Sequence, residues 1–78
     1  MSKITVYTRT TCAPCRTLKH YLKTKGHEFI EKNVDEDPSL INDILKLTNF
    51  QMVPVTVVDG EPVMGLNLAK LNLLLAKA

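Results

Sequence analysis

Ile4-Thr5-Val6-Tyr7-Thr8, Arg9-Thr10-Thr11 and Cys12-Ala13-Pro14-Cys15 run consecutively and join two periodicities. The first five residues are β-branched or aromatic, the composition of a short strand. Arg9 to Thr11 form a polar turn. From Ala13 to about Lys25 the pattern becomes helical, with Cys15, Leu18 and Leu22 recurring at three- and four-residue steps beside Tyr21. Lys19, His20 and Lys23 take the other faces. Pro14 suits a first helical turn and Gly26 follows the helix end. A cysteine pair therefore sits where a strand hands over to a helix.

Reading outward, Glu28 to Val34 is expected as a second strand. Asp37-Pro38 is expected to start a second helix, Asp37 as its N-cap and Pro38 at its first position. Its apolar face is Leu40, Ile41, Ile44, Leu45 and Leu47. Pro54 leads into a third strand, Val55-Thr56-Val57-Val58, and Asp59-Gly60 signals a two-residue hairpin. Val63-Met64 would form a short edge strand, and Asn67 would cap a last helix carrying Leu68, Leu71, Leu74 and Leu75. The order β-α-β-α-β-β-α implies a parallel first pair joined right-handedly, a sheet extended antiparallel by the hairpin, and helices on both faces. The expected class is α/β, a four-stranded mixed sheet.

The chain has 78 residues, which sets a single domain over 1–78 as the expectation. A core of this size rarely yields more than roughly 3–5 kcal/mol of net stability. With 45% hydrophobic residues the sequence has too much Leu, Ile and Val for disorder. Ten basic residues against eight acidic ones give no basic excess of the kind a nucleic-acid binder concentrates on one face. No apolar run reaches the ~18 residues of a membrane span, and Ile4 to Tyr7 is too short for a signal peptide. A cytoplasmic monomer is the expectation. In a reducing compartment a Cys-x-x-Cys pair is catalytic or metal-binding rather than structural.

Cys12 falls at the helix N-terminus, where unpaired N–H groups and the macrodipole favour an anion, and thiolate is the reactive form of cysteine. Arg9, three residues before it, and Arg16, four after, add positive charge. Cys15 lies one turn on and is more shielded. This arrangement suits a two-step exchange in which Cys12 attacks a substrate disulfide and Cys15 resolves the mixed disulfide. Structural zinc is the competing reading, but it needs four ligands, and His20 and His27 lack the spacing; no metal is expected. A cluster shared between two chains, or a pure binding module with a rim of Met52, Val53 and Leu66, stays open. Lys19 is within reach as a base for Cys15, or is a solvated surface lysine; the first strand supplies no carboxylate. Val53-Pro54 is either a trans proline opening a strand or a cis bond turning the Val53 backbone toward Cys12, where it could pair with an extended substrate.

Thr5-Val6-Tyr7-Thr8, Cys12-Ala13-Pro14-Cys15, Val53-Pro54 and Gly65, in this order and spacing, resemble a glutaredoxin-type member of the thioredoxin superfamily. The resemblance covers nearly the whole chain. It implies the thioredoxin-like fold, a cis Val53-Pro54 bond and dithiol–disulfide reductase activity, with Cys12 as nucleophile, Cys15 resolving and no bound cofactor. Glutaredoxins carry Pro-Tyr between the cysteines, whereas Ala13-Pro14 is closer to the Gly-Pro of thioredoxins. They also place an acidic residue, which binds the glutathione amino group, near the last helix; here that neighbourhood holds Asn67. Arg9, Gln51 and Val53 could still form part of a glutathione site. Phe50-Gln51-Met52-Val53-Pro54-Val55 and Met64-Gly65-Leu66-Asn67 resemble NrdH-type redoxins, although Leu66 replaces the usual aromatic and no Arg-Pro follows. That branch implies protein disulfide substrates including ribonucleotide reductase, with thioredoxin reductase and NADPH as the reductant in place of glutathione.

Overall fold

The computed structural model describes residues 3–49 and 52–77. Strand β1 (Ile4–Thr8) is buried on both faces, as a central strand covered by helices must be. It pairs in parallel with β2 (Ile30–Asn33) and antiparallel with β3 (Val55–Val58), which pairs antiparallel with β4 (Glu61–Met64). The sheet order is β2-β1-β3-β4. Helices α1 (Ala13–Thr24), α2 (Leu40–Thr48) and α3 (Leu68–Lys77) complete the expected element order.

Alternation along β1 divides the core in two. Ile4 and Val6 pack with Leu18 and Leu22 of α1 and Leu71 of α3 on one face. Tyr7 and Val55 pack with Ile44 of α2 and Val34 on the other. Helix α1 stops as a Schellman-type end, His27 N–H donating to the Leu22 carbonyl at 2.9 Å, with Gly26 at φ +78°. The β3–β4 turn has positive φ at both Asp59 (50°) and Gly60 (89°), the backbone of a type I′ hairpin.

Three boundaries differ from the sequence reading. β2 is only Ile30–Asn33, because residues 28 and 29 precede the register and Val34 already turns, its N–H bonded to the Thr8 carbonyl at 2.9 Å. The second helix begins at Leu40 rather than at Pro38: Asp37 instead accepts from the Ser39 amide (3.1 Å) and hydroxyl (2.6 Å), closing a tight turn. Successive i→i+3 bonds, such as Ile41 N–H to the Pro38 carbonyl at 3.1 Å, then wind into α2. β4 is longer than expected and contains Pro62, which an edge strand tolerates.

Leu22 has no exposed surface. Leu22→Ala is therefore expected to cost about 2–5 kcal/mol in urea unfolding, comparable to the whole net stability of so small a domain. Thr56 is equally buried, and its hydroxyl has no partner among the described residues. Thr56→Val should leave stability unchanged or raise it by about 1 kcal/mol; a loss as large as that of Leu22→Ala would show that the hydroxyl is bonded.

Candidate active site

Cys12 is the N-cap of α1, in an extended conformation, and its sulfur accepts the Cys15 N–H at 3.2 Å. A side-chain acceptor at this position satisfies one of the helix's unbonded donors, and a sulfur that receives an N–H and the positive helix end is favoured as an anion. The two cysteines are at disulfide distance, their Cα atoms 5.2 Å apart. Their environments differ: Cys12 is partly exposed, whereas Cys15 is only 1% exposed. Ala13 and Pro14 lie exposed in the first helical turn.

The loop before Cys12 is fastened to the turn after β2. Thr10 N–H donates to Asp35 Oδ2 at 2.9 Å, and Asn33 Nδ2 donates to Thr10 Oγ1 at 3.2 Å. Arg9 Nε lies 3.4 Å from Asp35 Oδ1, so the positive charge expected to act on Cys12 is already paired. The Asp35 carboxyl is held below its ordinary range, first by the Thr10 amide and then by the Arg9 charge.

A second polar cluster lies on the α1 face of the sheet. Thr8, with no exposed surface, donates its hydroxyl to Glu31 Oε2 at 2.7 Å, and Lys19 Nζ lies 2.9 Å from the same oxygen. Lys19 is thus engaged by a carboxylate rather than free, with 26% of its side chain still exposed. Sequence reasoning looked for a carboxylate on the first strand and missed Glu31 on β2. Glu31 pairs with Val6 in register and lies on the same face at an exposed position, so only the register, which the sequence does not display, brings it to Thr8 and Lys19. Lys19, and secondarily Thr8, hold the Glu31 carboxyl below its ordinary range.

The other expected site residues fall into two groups. Arg9 and Val53 line one cavity of about 90 Å³ together with Val34, Ile41, Ile44 and Met52. Val53-Pro54 is a cis peptide, and the buried Pro54 accepts the Gly65 N–H through its carbonyl at 2.8 Å. Gly65 adopts φ +64°, and a Cβ there would meet Met52 Cε at 3.8 Å. Asn67 caps α3, its Oδ1 accepting the Lys70 N–H at 3.2 Å, and the first turn of that helix contains no acidic residue. Gln51 lies outside the described residues, as does Phe50. His20 is exposed, whereas His27 is half-buried. Tyr7 fills the α2-side core, with Lys32 Nζ 5.9 Å from its ring centre.

Because the folded-state Glu31 pKa is depressed, its contribution to stability is complete above the ordinary carboxylate value and fades as pH falls through the lower folded value. Stability should therefore decline with acidification below about pH 4.5. Glu31→Gln should make that decline shallower in urea midpoints measured from about pH 5 to 3; an unchanged slope would contradict the assignment.

The sequence profile of the glutaredoxin family matches residues 4–63. A glutaredoxin-like 8.6 kDa protein encoded in the rubredoxin operon of Clostridium pasteurianum is 34% identical over 74 residues, covering 95% of this chain and 99% of that protein. The crystal structure of a glutaredoxin from Archaeoglobus fulgidus superposes with a TM-score of 0.86 at 28% identity, over 96% of this chain and 87% of that one. The glutaredoxin-like NrdH-redoxin of Escherichia coli, whose structure was solved to explain a thioredoxin-like activity profile, superposes with a TM-score of 0.77 at 28% identity, over 90% and 91% of the two chains. With its cysteine pair at a helix N-terminus and its mixed four-stranded sheet, the chain belongs to the glutaredoxin family, as a redox protein of the glutaredoxin/NrdH type with the thioredoxin-like fold.

Proposed function

We propose that this chain is a dithiol–disulfide reductase, and the observation that carries the reading is the Cys15 N–H directed at the Cys12 sulfur at the head of α1. The Cys12 thiolate attacks one sulfur of a substrate disulfide. The substrate S–S bond breaks, a Cys12–substrate bond forms, and the other substrate sulfur leaves as thiolate and takes up a proton. Cys15, deprotonated, then attacks Cys12 Sγ; the Cys12–Cys15 disulfide forms and the second substrate thiol departs. Two electrons have passed to the substrate. The burial of Cys15 supports its resolving role, since an incoming substrate meets Cys12 first.

The remaining residues are assigned positioning and recognition. The Val53 backbone, held ahead of the buried Pro54, pairs with an extended substrate segment. Gly65 keeps that wall low, and Ala13 and Pro14 form the exposed lip beside Cys12. Arg9 is assigned to the neighbouring pocket. Electrons come from NADPH through thioredoxin reductase rather than from glutathione. Two features support this: Asn67 uses its side-chain oxygen to cap α3, and no carboxylate stands in that first turn to bind the glutathione amino group. The similarity to NrdH-type relatives makes ribonucleotide reductase the candidate protein substrate. The reaction is assigned to a monomer in the cytoplasm, with no tightly bound cofactor.

The oxidised protein should be reduced rapidly by NADPH with thioredoxin reductase and at least about tenfold more slowly by NADPH with glutathione and glutathione reductase. Equal or faster glutathione turnover would overturn the choice of reductant. Cys15→Ser should accumulate a mixed disulfide on Cys12, visible as a mass increment removed by dithiothreitol. Failure to capture any disulfide would overturn the mechanism itself.

A further inference from the structure

Charge is segregated along this chain. All eight acidic residues lie between Glu28 and Glu61, and none precedes Glu28, whereas Lys3, Arg9, Arg16, Lys19, Lys23 and Lys25 all do. The fold gathers much of this first segment into the redox loop and α1. At 100° per residue, Arg16, Lys19 and Lys23 fall on the stripe that begins at Cys12, beside the buried face of Cys15, Leu18 and Leu22.

The compensation along that stripe is uneven. Glu31 binds Lys19 and also feels Lys23, and Glu28 shares a shallow depression with Lys23. Arg9 is paired with Asp35. Arg16 is exposed and has no ion-pair partner among the described residues. It stands one turn, about 6 Å along the axis, from Cys12, within the ~10 Å over which a charge acts at 0.1 M salt. On this stripe Arg16 is therefore the cation next to Cys12, and no carboxylate among the described residues pairs with it.

We infer that this stripe is a docking surface for acidic polypeptide, and that the preferred substrate is a disulfide in a segment bearing Asp or Glu beside its cysteine. Complementary charge raises encounter rates and sets the orientation of approach. The exposed Met52 and Leu66, apolar and uncharged, leave the direction of charge selection to α1. The inference rests on the reductase reading above and names the substrate class for the same site.

Three peptide pairs linked by an intermolecular disulfide, with cysteines flanked by Glu, by Ser or by Lys, test it with the pre-reduced full chain. At about 20 mM salt the Glu-flanked disulfide should be reduced with a second-order rate constant about tenfold larger than the Lys-flanked one, and about 0.5 M salt should erase the difference. Arg16→Glu should collapse or invert the Glu/Lys ratio. Lys46→Glu, the same charge change on the exposed side of α2, should preserve it. Equal rates on all three peptides at low salt, or equal effects of the two variants, would overturn the docking surface while leaving the reductase intact. No reduction of the Ser-flanked peptide would instead overturn the reductase reading, and the inference with it.

Discussion

The Cys15 amide, one of the free N–H donors at the head of α1, is bonded to the sulfur of Cys12. Much else in the structure serves to keep that donor and that acceptor in place. The helix must start at Ala13 for the amide to be unbonded within the helix, and Pro14, lacking an N–H of its own, forfeits no helical bond in this first turn. The same turn brings the two sulfurs to disulfide distance. It also buries the second cysteine, so one local geometry supplies a partly exposed sulfur and a sheltered partner.

A helix end is a weak anchor unless the chain entering it is fixed. Here β1 is an interior strand, and its last residue, Thr8, is tied twice to the β2 side: its carbonyl receives the Val34 N–H, and its hydroxyl donates to Glu31. Beyond it, Asn33 and Asp35 hold Thr10, and Asp35 engages Arg9. The acidic groups near the redox loop are thus occupied with backbone and cations. Across the site, Gly65 rests on the Pro54 carbonyl with Met52 beside it, leaving an apolar border of exposed Met52 and Leu66.

What could be read from the amino acids followed the strength of the local signal. The strand-to-helix junction at Cys12, the Asp59-Gly60 hairpin and the Asn67 cap each rest on a residue type that only a few backbone shapes accommodate, and each stands where it was expected. The start of the second helix did not, because an Asp-Pro pair fits both a helix cap and a preceding turn, and the Ser39 bonds select the turn. The Thr8–Glu31–Lys19 cluster was out of reach for another reason. It joins residues 23 and 12 positions apart, and only the parallel register of β1 with β2 puts them on one face. Arg9 illustrates the same limit: its charge was visible, its neutralisation by Asp35 was not.

In the proposed reductase the head of α1 makes Cys12, and not Cys15, the ionised and accessible sulfur. The direct measurement is the alkylation rate of each cysteine in the reduced protein as a function of pH, read site by site by mass spectrometry. Cys12 should react first and titrate below the ~8.5 of a free thiol, with Cys15 protected until the fold is opened by denaturant. Equal reactivity of the two cysteines, or a Cys12 that titrates like a free thiol, would contradict the account.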